Sequence, residues 1–167
     1  MDDQDDRGYS RAPELEDLVS LCKALNDEGV RYVLIGGFAV ILHGFVRATK
    51  DVDLLVDASA ENVQRLKRAM ATLPDNAIAL MSDDEVDRYG VVRVADEFVI
   101  DLMKSACGIP YDEALGHVDR RVVNGIVIPV ANKELLIRTK NTVRPSDAAD
   151  VHFLRLRIAE DEKNSPG

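Results

Sequence analysis

Tryptophan is absent from this sequence, and four phenylalanines with four tyrosines supply all of its aromatic rings. Any core must therefore be built from Val, Leu, Ile and Ala. Long apolar runs are missing too. Stretches such as Phe38–Leu42 fall far short of the roughly 20 residues a membrane span needs. The first residues, Met1-Asp2-Asp3-Gln4-Asp5-Asp6, carry no basic end and no apolar run behind it, which excludes a secretory signal. Cysteine is scarce: Cys22 and Cys107 stand in unrelated contexts without metal-ligand spacing. They read as reduced, structural thiols of a cytoplasmic protein. Excess positive charge is lacking as well. The net charge is −9, and a protein gripping a duplex backbone usually gathers Lys and Arg on one face. Stable binding to duplex DNA is not expected, although a local basic rim can still meet a small polyanion such as a nucleotide.

What is present fits one ordinary domain. The 167 residues are 46% hydrophobic and 31% charged, enough to bury a core. Residues 1–10 read as a disordered acidic tail, 11–160 as a single domain, and 161–167 as a polar tail that frays. No internal repeat interrupts the domain.

Helical and strand patterns alternate along it. Pro13 with Glu14, Glu16 and Asp17 marks a helix start, and Leu15, Leu18, Val19, Cys22 and Leu25 follow at helical spacing up to Gly29. Tyr32–Ile35 is a short strand pattern broken by Gly36-Gly37, and Phe38–His43 a short helix closed by Gly44. Asp51–Asp57 reads as a strand. Val63, Leu66, Met70 and Leu73 mark an amphipathic helix stopped by Pro74. Tyr89–Val94 and Phe98–Met103 form one expected hairpin around Ala95-Asp96-Glu97. Arg120–Val123 and Ile126–Val130 form another around Asn124-Gly125, the strongest short hairpin signal in the chain. Two helices close the pattern, Lys133–Asn141 and one starting near Ser146 with Val151, Leu154 and Ile158 on one face. The expected class is α+β, a mixed sheet with helices packed on it.

Chemistry concentrates between Ile35 and Asp57. Two glycines between a strand and a helix let the backbone turn sharply and approach a ligand, and the helix start suits a phosphate. Taken alone, the pair is also an ordinary tight turn. Asp51 and Asp53 add to it. Residues two apart on a strand share a face about 6.6 Å apart, so the two acids repel each other unless a divalent cation or water offsets them. Asp101 stands in Phe98-Val99-Ile100-Asp101-Leu102-Met103, where a lone acid in an apolar strand is costly to bury. If the two strands are neighbours, the three acids form one cluster.

Gly36-Gly37-Phe38-Ala39, followed by His43-Gly44, Arg47, Thr49 and Asp51-Val52-Asp53, resembles the nucleotidyltransferase superfamily with its DNA polymerase beta-like fold. It is closest in style to the minimal nucleotidyltransferases and the abortive-infection toxin-like branch. The resemblance implies a Mg²⁺-dependent transfer of an NMP from a nucleoside triphosphate to an acceptor hydroxyl on a small molecule, protein or RNA. It implies Asp51 and Asp53 as ligands of two Mg²⁺ ions (Mn²⁺ as the alternative) and Asp101 as ligand and general base. Gly36 and Gly37 would face the β- and γ-phosphates. Lys140, Arg144, Asp147 and Asp150 match a further pattern of that branch. Lys140 and Arg144 would meet phosphates and Asp147 orient one of them, unless the run is a solvated surface or a local ion pair. Arg47 and Lys50 either bind phosphate or balance charge. His43 reads as a helix-end or core histidine, and His117 and His152 carry no signal. Small members of this kind often act with a partner protein, sometimes as half of a toxin–antitoxin pair. Two departures stand out: Phe38 replaces a frequent Ser, and Ser146 a frequent Lys. They leave open a second reading, a catalytically silent nucleotide-binding or interaction module of the same fold.

Overall fold

The computed structural model describes residues 10–140, 142 and 144–164. Helix α1 spans Leu15–Asp27, one residue past a cap in which the Asp17 carboxylate accepts the Glu14 amide at 2.7 Å. Pro13 thus stands just ahead of the helix rather than in its first turn. Leu18, Leu21, Cys22 and Leu25 form its buried stripe, and Gly29 with φ +72° turns the chain out of it.

Strand β1 (Tyr32–Ile35) is buried throughout and runs straight into α2 (Gly36–Leu42). Strand β2 (Asp51–Val56) follows, then α3 (Ala60–Met70), whose Ser59 hydroxyl caps the Asn62 amide. The helix ends at Met70, one turn short of the expected stop at Pro74. Next come a short α4 (Glu85–Arg88), the hairpin of β3 (Val92–Ala95) and β4 (Val99–Met103), and the small pair β5 (Ser105–Ala106) and β6 (Ile109–Pro110). Tyr89–Val91, expected within the first hairpin strand, lie outside it. Helix α5 (Tyr111–Ala114) leads to β7 (Val118–Val123) and β8 (Ile126–Ala131). They are joined by Asn124 and Gly125 at φ +51° and +80°, the geometry of a primed two-residue turn.

The six longer strands make one mixed sheet in the order β3-β4-β2-β1-β8-β7. Pairs β2–β4 and β1–β8 are parallel, and the rest are antiparallel. The class read from the sequence, α+β with a mixed sheet, is the one observed. Helix α1 packs on α3 and β8, while α2 lies on β1 and β2 beneath the closing helices α6 (Lys133–Thr139) and α7 (Pro145–Asn164). The expected last residue of α6, Asn141, lies outside the described residues. No helix among the described residues is long and apolar enough to cross a membrane.

The first described residues and the late turns of α7 are each held by specific contacts. Ser10 donates to the Asp96 carbonyl at 2.6 Å and the Arg11 amide to the Glu97 carbonyl at 3.0 Å. Residues 1–9 and 165–167 lie outside the described residues. At the other end α7 continues through Asn164, past the expected fray point. A Lys133–Asp161 ion pair of 2.9 Å holds its late turns to α6.

The core is aliphatic, as the missing tryptophan required. Leu66 is fully buried on α3 among residues such as Leu18, Leu25 and Met70. Leu66→Ala is expected to cost about 2–5 kcal/mol, through lost transfer energy and the cavity left behind. A urea titration checks this: the midpoint should drop with the m-value unchanged.

Candidate active site

Adjacent strands bring the acids together. In the parallel β2–β4 pair Asp53 lies directly beside Asp101, and Asp51 beside Val99. Asp51 and Asp53 share one face at the start of β2, whereas Leu55, two residues further along that face, is fully buried. The same sheet face is thus open at one end and packed at the other. One carboxylate oxygen from each of Asp51, Asp53 and Asp101 falls within 4.8 Å of the other two.

Such proximity is costly without a cation. Burial, then the charges of Asp51 and Asp101, push the Asp53 carboxyl up to about 7. Burial and the neighbouring Asp101 raise Asp51 as well. An all-oxygen, all-anionic donor set within reach of one point suits a hard divalent cation such as Mg²⁺ or Mn²⁺. The residues present fit the metal.

The glycines press against this cluster. Gly36 has φ +75°, and a Cβ there would stand 2.0 Å from Asp53 Oδ2. A Cβ on Gly37 would stand 2.6 Å from Thr49 Oγ1. Both glycines form the first turn of α2, rather than a separate turn ahead of it. Phe38, the residue that departs from the family pattern, turns into the core with 4% of its surface exposed. It removes a hydroxyl from the site but does not block it.

A cavity of about 830 Å³ opens over the acids and glycines. Its far wall comes from the α6–α7 junction. Lys140 is buried and pairs with Asp147 at 3.4 Å and Asp150 at 3.0 Å. Arg144 is exposed and donates through Nε to Asp147 at 3.1 Å. Burial works against ionised Asp147, but the Thr142 hydroxyl and the charges of Lys140 and Arg144 hold it below the usual carboxylate range. Arg47 crosses from the α2–β2 loop to Asp150 at 2.7 Å, while Asp150 Oδ1 is buried without a donor among the described residues. Lys50 lines the same cavity and makes no ion pair among the described residues. The ten residues expected from the sequence to meet metal or nucleotide all line one cavity. Arg47, Lys140 and Asp147 also carry the fold there, because Lys140 pairs with Asp147 and Asp150, and Arg47 with Asp150. The run is the local ion pair that was the alternative reading, with Arg144 also facing solvent.

His43 is what the sequence suggested, a helix-end histidine. It is buried, its Nε2 contacts the Ala131 carbonyl at 2.9 Å, and its Nδ1 lies 3.0 Å from Arg121 Nη2. Donation to the carbonyl through Nε2–H and acceptance from Arg121 at Nδ1 fix a neutral ring, and burial lowers its pKa.

Sequence reasoning missed one residue at the centre. Arg93, on β3, sits opposite Asp101 in register. Its Nε and Nη2 donate to the two Asp101 oxygens at 2.9 and 3.0 Å, and Nη2 reaches Asp51 at 3.4 Å. The signal was available in the alternation Val92-Arg93-Val94, which puts Arg93 and Asp101 on one face once the hairpin register is known.

Comparison with known proteins agrees with this geometry. The family model described as "Nucleotidyl transferase of unknown function (DUF2204)" matches residues 14–163. No curated protein sequence matches the chain. Among solved structures, the crystal structure of a candidate nucleotidyltransferase, TM1012 from Thermotoga maritima, superposes with a TM-score of 0.53 at 16% identity. The alignment covers 95% of this chain and 96% of that one, and the likeness is one of fold.

Proposed function

Because the chain belongs to this family of nucleotidyl transferases of unknown function, we propose that it moves an NMP from a nucleoside triphosphate to an acceptor hydroxyl at the Asp51–Asp53–Asp101 cluster. The observation that carries this reading is the convergence of three carboxylates from two parallel strands on one point, beside a glycine where a Cβ would displace Asp53.

Asp51, Asp53 and Asp101 would hold Mg²⁺, which supplies charge neutralisation and alignment for the triphosphate. The Gly36-Gly37 backbone lets phosphates approach the acids closely. Arg144 and Lys50, both in the cavity wall, offer cationic groups to the β- and γ-phosphates. Asp101 accepts the acceptor's hydroxyl proton as its oxygen bonds to the α-phosphorus. The bond from that phosphorus to the bridging oxygen breaks, and pyrophosphate leaves with that electron pair. A second cavity of about 670 Å³ adjoins the first at Cys107, Lys140 and Thr142, and an acceptor would approach the nucleotide through it. A protein or RNA acceptor would enter from there, and a role within a toxin–antitoxin pair would rest on such a partner.

Titration calorimetry with ATP, GTP, CTP and UTP plus Mg²⁺, beside an Asp51→Ala/Asp53→Ala control, tests the assignment. Metal-dependent binding to the parent and none to the double variant is the expected result. Equal binding by both would remove the site. The missing hydroxyl at Phe38 favours one alternative, a nucleotide-binding module without catalysis. Tight, metal-dependent binding with no pyrophosphate released across varied acceptors would select it.

A further inference from the structure

The three acids are not without a cationic neighbour in the protein itself. Arg93 forks onto both oxygens of Asp101 and touches Asp51, spanning two of the three carboxylates expected to hold metal. The partners are unequal. The Asp101 side chain is 8% exposed, but Arg93 is 63% exposed. A buried carboxylate depends on a cation to offset its lost hydration, whereas an exposed guanidinium leaves its partner at little desolvation cost. Arg93 also lies at the end of a long side chain on a short strand, within the wall of the cavity that would take the triphosphate.

We propose that Arg93 is a resident counter-ion of the metal site. It holds Asp101 and Asp51 in place while the site is metal-free, competes with the divalent cation for them, and turns to the triphosphate once metal displaces it. The inference rests on the metal-site reading above and concerns how that site is loaded. Two consequences follow from the geometry. Metal affinity without nucleotide is held down, because an ion pair with charge-assisted hydrogen bonds must first open. Metal and nucleotide bind cooperatively, because the displaced guanidinium gains a phosphate partner only when nucleotide is present.

The test uses the full chain and Mn²⁺ alone, followed by electron paramagnetic resonance, with folding checked by circular dichroism. Arg93→Met is expected to bind Mn²⁺ about tenfold more tightly than the parent, since no charge-assisted hydrogen-bonded pair has to open first. Arg93→Lys, which keeps the charge but loses the fork, should fall between them. Melting temperature should move the opposite way, lower for Arg93→Met without metal and recovered by Mg²⁺. Should Arg93→Met fail to fold, Arg93→Lys and the parent's own arginine Nε–H resonance, which should shift on adding Mg²⁺, carry the test. Unchanged or weaker Mn²⁺ binding in folded variants would make Arg93 a structural strut and overturn the inference, leaving the metal site standing. No Mn²⁺ binding by the parent or by either folded variant would overturn both.

Discussion

Asp53→Asn is expected to stabilise the metal-free protein by about 2–4 kcal/mol near pH 8, while abolishing its stabilisation by Mg²⁺. Replacement of a buried carboxylate usually costs stability, so the sign is diagnostic. Burial and two neighbouring acids raise the folded-state pKa of Asp53 from 3.8 to about 7. Below the unfolded value both states hold the proton, and the group contributes nothing. Between 3.8 and about 7 the folded state binds more protons than the unfolded one, so stability falls as pH rises. Above that window the full penalty is present, and an uncharged amide of the same shape escapes it. The parent should therefore lose stability from about pH 4 to pH 8 relative to the variant, and the two curves should converge at the acid end. Saturating Mg²⁺ should reverse the order near pH 8, since only the parent gains binding energy. Chemical denaturation at several pH values, with and without Mg²⁺, reads all of this. A variant less stable than the parent without metal would make Asp53 a structural partner.

Gly36→Ala is expected to damage the site more than the fold. At φ +75° an alanine costs about 1–2 kcal/mol in backbone strain. The larger effect is steric, because the new methyl would fall 2.0 Å from Asp53 Oδ2 and 2.9 Å from its Cβ. Asp53 is pinned by the β1–β2 register, in which it faces Ile35, so its side chain must swing out of the cluster. Metal and nucleotide affinity should fall by about a hundredfold or more, with catalysis at least as affected, since misplacement of about 1 Å can cost that much. The overall circular dichroism should persist. Unaltered Mn²⁺ affinity in Gly36→Ala would show that the glycine serves only the turn.

Much of this arrangement was legible in the residues. The alternation around Asp51 and Asp53, the lone acid at Asp101 and the Asn124-Gly125 turn each gave the local structure observed. Binary patterns specify strand faces well, because a one-residue slip would bury the acids and expose Leu54 and Val56. Less legible was anything that depends on long-range pairing. Arg93 gains meaning only when the hairpin register sets it across from Asp101. Asp96, which looked like a turn residue, is buried, accepting the Asp75, Glu97 and Ala77 amides at 2.8–2.9 Å. An acid inside a hairpin turn carries no local sign that another loop will fold over it. Lys140 read either as a phosphate contact or as half of a local ion pair, and spacing alone does not reveal that it pairs with both Asp147 and Asp150 and so closes the α6–α7 junction.

The family relationship and the carboxylate geometry come together in one place, and one measurement addresses it most directly. A crystal of the full chain soaked with Mg²⁺ and a non-hydrolysable nucleoside triphosphate should show metal ligated by Asp51, Asp53 and Asp101, the phosphates over Gly36-Gly37, and Arg93 withdrawn from Asp101. Nucleotide bound elsewhere, or the three acids left without metal while Arg93 keeps its fork, would contradict the assignment.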